Sequence, residues 1–288
     1  MSGVLREGHQ LHDRLVADCA DRHKPGMDDG PFDRRLRRVR RDRAARAQGG
    51  ADYLRRLVAD ELIERIGLVT RPLSEALDLS CADGRIAKAL AARGMAVTSA
   101  DPGFAFARRN AGAQCDEDRL PFGDARFDLI VSAGALDTVN DLPGALVLIR
   151  RALRPDGLFL AAFAGAGSLP RLKGAMMAGD LAAGGGAAAR VHPQIDVRAA
   201  GDLLLRAGFR MPVADCHALD IRFSRLADLV GDLRALGATN VLAGRAPPLT
   251  RFAAAAAAAE FAAYRDADGK TTERLEIIHL TAWSPPEA

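Results

Sequence analysis

Between residues 75 and 163 the sequence alternates short apolar runs with amphipathic stretches, and this alternation constrains the fold more than any other feature. The apolar runs are 75–79, 96–100, 127–132 and 158–163; the amphipathic ones are 86–93, 104–110 and 142–153. Short, almost wholly apolar runs closed by Gly, Pro or Asp suit strands buried on both faces. Strands that alternate with helices at this spacing form βαβ units, with right-handed crossovers and a parallel sheet. The chain therefore reads as an α/β domain. Its 288 residues suffice for one large domain with a substantial core.

The flanks divide by composition. Residues 1–31 are polar, broken by Pro25, Gly26, Gly30 and Pro31, and read as a flexible tail, with Met27 a plausible alternative start. Residues 32–70 read as a helical cover of two helices, 32–46 and 54–66. Residues 71–163 form the ligand-binding core. Residues 164–190 are a Gly/Ala-rich insertion, partly helical over 169–177. Residues 191–288 continue the same sheet: helix 197–207, strand 218–223, helices 225–236 and 252–264, and a final strand 274–283. Leu229, Leu233 and Leu236 turn the first of those two helices toward the core, and Arg234 and Asn240 are candidates for the substrate side of the cleft.

Lys plus Arg is 40 and Asp plus Glu is 37, a net +3, which predicts no strong polyanion partner and argues against nucleic acid. The basic excess sits in residues 34–46, which hold eight arginines and one acid, Asp42. That run suits a docking surface for an acidic carrier protein or other protein partner. It equally suits a solvated helix face with one or two arginines turned inward. Cys19, Cys81, Cys115 and Cys216 form no CxxC pair, and no two histidines share metal-ligand spacing on one expected element. No metal is expected. Reduced thiols, the absence of a signal-peptide pattern and the lack of an apolar run longer than 252–259 predict a soluble, cytoplasmic protein.

Open α/β sheets bind ligands beyond the carboxyl ends of their strands. Asp78 and Leu79 run into a loop of small residues, Ser80, Cys81, Ala82 and Gly84, ahead of a helix whose first N–H groups are free for a ligand. Asp101, followed by Pro102, ends the second strand, where an acid can accept from both ribose hydroxyls. Asp116 and Glu117 are placed to accept from an adenine amino group, and Ser132 and Ala133 end the next strand beside them. Together they describe a site for an adenosine-bearing ligand. The loop lacks GxGxxG and a Lys-Ser/Thr ending, so a nicotinamide cofactor or a nucleoside triphosphate is not expected.

In this order and spacing the residues resemble the class I S-adenosylmethionine-dependent methyltransferases. The pattern covers residues 74–163: Asp78 to Gly84, Asp101, Asp116-Glu117 before Leu120-Pro121-Phe122, Phe127-Asp128-Leu129-Ile130, and Leu153-Arg154-Pro155-Asp156-Gly157-Leu158. The flanks are similar to a narrower group, the complex I assembly factor 5 family and its relatives, the malonyl-carrier-protein O-methyltransferases. Phe32-Asp33-Arg34-Arg35, Val139-Asn140-Asp141-Leu142-Pro143-Gly144, Arg206-Ala207-Gly208-Phe209 and Glu276-Ile277-Ile278 carry that likeness. The resemblance implies a Rossmann-like, seven-stranded methyltransferase fold with N-terminal helices and an insertion after the fifth strand. It implies S-adenosylmethionine as cofactor, bound by Asp78, Leu79, Ser80, Cys81, Ala82, Gly84, Asp101, Pro102, Asp116, Glu117, Ser132 and Ala133. Methyl transfer to a protein or carrier-bound acid is the expected activity, with Asp137 the candidate catalytic residue. The alternative is a non-catalytic or arginine-modifying assembly factor for respiratory complex I. The sequence departs from the pattern at Ser80 and Ala82, where glycine is usual, at Thr138, where a bulky aromatic is usual, and at Gly165-Ala166-Gly167-Ser168.

Overall fold

The computed structural model describes residues 30–47, 51–184, 186–244 and 246–287. The expected tail and the alternative start at Met27 lie outside this set, apart from Gly30 and Pro31.

Two helices precede the sheet. The first, α1 (Arg34–Arg46), starts where Asp33 accepts a hydrogen bond from the Leu36 N–H at 2.8 Å. The second, α2 (Asp52–Gly67), buries Leu54, Ala59, Leu62 and Ile66 along one face. The core then alternates β1 (Glu75–Leu79), α3 (Arg85–Ala92), β2 (Ala96–Asp101), α4 (Phe104–Arg109), β3 (Ala113–Gln114), β4 (Phe127–Ala133), α5 (Leu142–Ala152) and β5 (Leu153–Ala164). A single 3-10 turn, Leu136–Thr138, follows β4. The chain continues through α6 (Pro170–Ala182), α7 (Val197–Arg206), β6 (Arg210–Phe223), α8 (Leu226–Leu236), α9 (Arg251–Ala262) and β7 (Thr271–Trp283).

Seven strands form one sheet in the order β3-β2-β1-β4-β5-β7-β6. The first five run parallel; β7 inserts antiparallel between β5 and β6, with Ala161 opposite Leu280 and His217 opposite Ile277. The chain crosses to opposite sides of β1 to build β2 and β4. The carboxyl ends of β1 and β4 are therefore the switch point at which such sheets hold ligands.

Each face of the sheet has its own core. Leu77, Ile130 and Phe159 meet Leu146 and Ile149 of α5 and Leu204 of α7. Leu129, Val131 and Leu160 meet Leu62 and Ile66 of α2 and Leu90 of α3. A third cluster joins α6, α8 and α9 through Leu172, Leu229, Ala257 and Phe261.

Several elements differ from expectation, among them β5, which begins five residues before the expected 158 because Leu153 pairs with Phe127 across a register shift. In the Gly/Ala-rich insertion the helix begun by Pro170 runs to Ala182, five residues past the expected 177, and packs on α9. Strand β6 begins eight residues before the expected 218. It is an edge strand with one face to water, so its amino-terminal half shows polar alternation rather than an apolar run. The two-residue β3 is too short to carry a period.

Candidate functional site

The loop after β1 is bent by residues in the left-handed region: Ser80 has φ 67°, Ala82 φ 43° and Gly84 φ 74°. Side chains disfavour that region by roughly 1–2 kcal/mol per residue, so surrounding bonds must hold Ser80 and Ala82 there. The Ser80 and Cys81 N–H groups both donate to the Ala100 carbonyl, at 2.7 and 3.0 Å, and stitch the loop to β2. At Gly84 a Cβ would be strained by the left-handed backbone and would displace the Asn110 side chain, whose Oδ1 would lie 1.9 Å away. Asp78 is buried beneath the loop and accepts from the Ala87 N–H at 3.1 Å. Burial pushes its carboxyl up to about 7.

Beyond the loop, four acids meet four arginines of α1. Arg34, Arg37, Arg38 and Arg41 follow i, i+3, i+4, i+7 spacing and share one helix face. Arg41 grips Asp101 through Nε at 2.8 Å and Nη2 at 2.5 Å. Asp101 also accepts from the Gly103 and Ala82 N–H groups, at 2.7 and 3.0 Å. Arg37 takes both oxygens of Glu117, at 2.6 and 2.8 Å, and the Ser80 hydroxyl donates to Glu117 at 2.5 Å. Arg38 reaches Asp116 at 2.6 Å, and Arg34 holds Asp118 at 2.5 and 2.7 Å. Burial alone would depress the Arg41 guanidinium, but Asp101 against it raises it above its usual range.

This ladder corrects the reading of residues 34–46 as a free docking face. Four arginines rather than one or two turn inward, and they meet acids of this chain; Arg35, Arg43 and Arg46 remain exposed. Of the N–H groups expected to be free at the start of the helix after the loop, those of Gly84, Arg85 and Ala87 are engaged by the Cys81 carbonyl, Asp83 and Asp78.

A cavity of about 310 Å³ opens beside the loop. Asp78, Ser80, Cys81, Ala82, Ala133 and Asp137 border it, together with Arg41. Leu79, Gly84, Asp101, Pro102, Asp116, Glu117 and Ser132 do not. Asp116 Oδ1 and the Ser132 hydroxyl are among the buried polar atoms without a hydrogen bond in the described residues, as are Arg85 Nε and Thr239 Oγ1 of the cavity lining. Burial raises the Asp137 carboxyl, and Arg37 opposes that shift.

The far wall of the cavity comes from the C-terminal third: Leu172 and Met176 of α6, Leu229 and Leu233 of α8, Ile221 of β6 and Leu275 of β7. Asn240 lines it, whereas Arg234 faces solvent. Sequence reasoning missed Arg55, Arg85, His192 and Glu273, which also line it. His192 accepts from the Val241 N–H at 2.9 Å and meets Phe32 edge-on at 5.4 Å. Burial holds its imidazole down at about 4, with the Arg37 charge adding to the shift. Nothing local singles it out, because its partners are 49 and 160 residues away.

Residues 77–161 match the methyltransferase domain family. Over 268 residues the chain is 31% identical to the mitochondrial arginine-hydroxylase NDUFAF5 of Danio rerio, covering 89% of this chain and 84% of that one. Over 270 residues it is 33% identical to the malonyl-[acyl-carrier protein] O-methyltransferase of a Methylovorus species, covering 86% and 88%. A putative methyltransferase from Bacillus halodurans shares the fold with a TM-score of 0.54 at 17% identity, over 79% of this chain and 98% of its own. The YcgJ protein of Bacillus subtilis does so at 0.55 and 14%, over 81% and 100%.

Proposed function

The chain belongs to the family of the arginine-hydroxylase NDUFAF5 proteins and the malonyl-[acyl-carrier protein] O-methyltransferases, and on that premise we propose that it is an S-adenosylmethionine-dependent methyltransferase acting on a protein or carrier-bound acid. One observation carries this reading. One cavity is lined on one side by the loop at Ser80–Asp83 and on the other by apolar side chains of α6 and α8, so a cofactor and an acceptor chain can meet in it.

The residues fit the cofactor in kind. Asp101 would hold the ribose hydroxyls, the orphaned Asp116 Oδ1 would take the adenine amino group, and the loop and Asp78 would lie along the methionine part. When bound, the cofactor supplies a methyl group on a sulfonium, a leaving group that needs no acid. This chain's part is then to position and to exclude water. Asp137 borders the meeting point with its carboxyl raised by burial, suited to hold or take a proton from a hydroxyl or amine acceptor. A carboxylate acceptor requires neither. Asp101 already accepts four hydrogen bonds, so a ribose can reach it only when Arg41 withdraws. Cofactor binding is thereby tied to the position of α1.

That saturation, with side chains at Ser80 and Ala82 where the backbone turns left-handed, favours a second reading. In it the chain is a non-catalytic or arginine-modifying assembly factor for respiratory complex I with a weakened cofactor site. Cys81, Cys115 and Cys216 form no disulfide, in keeping with a cytoplasmic setting, and no helix among the described residues is long and apolar enough to cross a membrane.

Calorimetric titration of S-adenosylmethionine and S-adenosylhomocysteine, with Asp101→Ala as control, separates the two. Micromolar binding abolished by the substitution supports the methyltransferase. No binding at millimolar ligand overturns it in favour of the assembly factor.

A further inference from the structure

On the sheet face covered by α2, strands β6 and β7 bring together two histidines that are 62 positions apart in the chain. His279 pairs with Asp215 in the β-ladder and His217 with Ile277, so the two imidazoles are diagonal neighbours on one face. Their rings stack at 5.3 Å with 19° between planes. Glu61 of α2 straddles them: Oε2 is 3.0 Å from His279 Nε2, and Oε1 is 3.4 Å from His217 Nε2.

These are contact distances without hydrogen-bond alignment. His279 Nε2, His217 Nε2 and Glu61 Oε2 form no hydrogen bond among the described residues, and neither does His279 Nδ1. His279 is wholly buried, and a buried polar group is ordinarily satisfied. Here three such side chains, each with a ligand atom lacking a hydrogen bond, are gathered in one place.

We propose that Glu61, His217 and His279 form a binding site for a divalent transition-metal ion of the zinc class. Two donors each ~2.1 Å from a tetrahedral ion stand ~3.4 Å apart, and the three ligand atoms here lie within 4.8 Å of one another. Two imidazoles and one carboxylate select zinc and its first-row neighbours over magnesium or calcium, which prefer all-oxygen sets. Three protein ligands leave a fourth position for water. Glu61 and His217 have side chains 33% and 35% exposed, which provides the route in. The nearby cation, Arg65, is compensated by Asp215, which accepts from both its Nη atoms at 2.8 and 2.7 Å.

The site is distinct from the cavity. Ile277 borders the cavity and His279 follows it on the same face of β7, one step farther away. Ligation would fasten α2, whose Leu54, Arg55 and Val58 line the cavity, to the β6–β7 edge. The ion is thus a clamp on the wall of the cleft.

The test uses the full chain stripped of metal by a chelator, then titrated with Zn2+ against a chromophoric competitor, with Co2+ absorption as a second readout. The expected result is one equivalent bound, an intense tetrahedral Co2+ spectrum and a zinc-dependent rise in Tm. Glu61→Gln and His217→Gln alter partly exposed side chains; each is expected to weaken zinc by about 100-fold or more while leaving the metal-free Tm unchanged. His9, His12, His23 and Cys19, outside the described residues, are the competing ligands. No bound zinc in the stripped wild type overturns the proposal. So does an equivalent retained at full affinity in the Glu61→Gln/His217→Gln double variant.

Discussion

Arg41 and Asp101 are both buried, and each has the other as its only opposite charge within bonding distance among the described residues. Removing one partner of such a pair strands the other, at a cost of about 3–5 kcal/mol. Arg41→Ala and Asp101→Ala are each expected to lower unfolding stability by that order in urea titrations. The double variant should lose at least ~1 kcal/mol less than the sum, because the second deletion removes a charge already stranded. Additive losses would mean that the pair is not coupled. Asp78 adds a pH dependence. Its carboxyl keeps its proton to about pH 7 in the folded chain and releases it near 3.8 when unfolded. The folded state therefore binds more protons between those values. The stabilisation is complete below about pH 4 and is lost as pH rises through 7. The advantage of wild type over Asp78→Asn should fall across that window by on the order of 2–4 kcal/mol, a difference from which His192 and the other titrating groups cancel.

At the scale of elements, α6 shows how glycine sets the distance between two packed helices. Gly179 lets α6 approach α9 so closely that a Cβ would sit 2.8 Å from the Ala253 carbonyl oxygen. Gly179→Val is expected to destabilise by about 1–3 kcal/mol through overpacking. Gly174, on the same helix, faces open space, and Gly174→Ala should stabilise by about 0.5–1 kcal/mol through helix propensity. Thermal or denaturant unfolding reads both, and equal effects at the two glycines would refute the packing account. Helix α1 is the opposite case. Its sequence reads as a basic, solvated face, yet its arginine stripe is an internal surface matched to Asp101, Asp116, Glu117 and Asp118.

For the whole molecule, the arginines left outside that ladder set what a partner can meet. Arg35, Arg43 and Arg46 remain exposed on α1. If the acceptor arrives on an acidic carrier, Arg43→Glu with Arg46→Glu should lower kcat/KM for the carrier-bound acid several-fold, mostly through association and more at low salt. A small free acceptor should be unaffected. An equal loss on both substrates would assign those arginines to the fold instead.

Strands β1, β2 and β4 were legible because each is a local apolar run with punctuation at its ends; β1 falls on its expected residues and β2, β4 and α7 within one. That Asp78, Asp101 and Asp116 stand at or just beyond strand ends was legible for the same reason, since strand ends and loops are written in consecutive residues. Their partners were not. The arginines that take Asp101 and Glu117 lie 60 and 80 positions away, and a stripe of arginines carries no mark of whether water or a carboxylate faces it. The walls of the cavity, the edge half of β6 and the meeting of His217 with His279 likewise depend on how distant segments pack and register. Local pattern, which is short-range sterics and hydrophobic period, determined the elements and the chemical character of the site. Long-range pairing, decided only when buried charges and imidazoles had to be placed against one another, determined which of those groups are spent on the fold and which face the cleft.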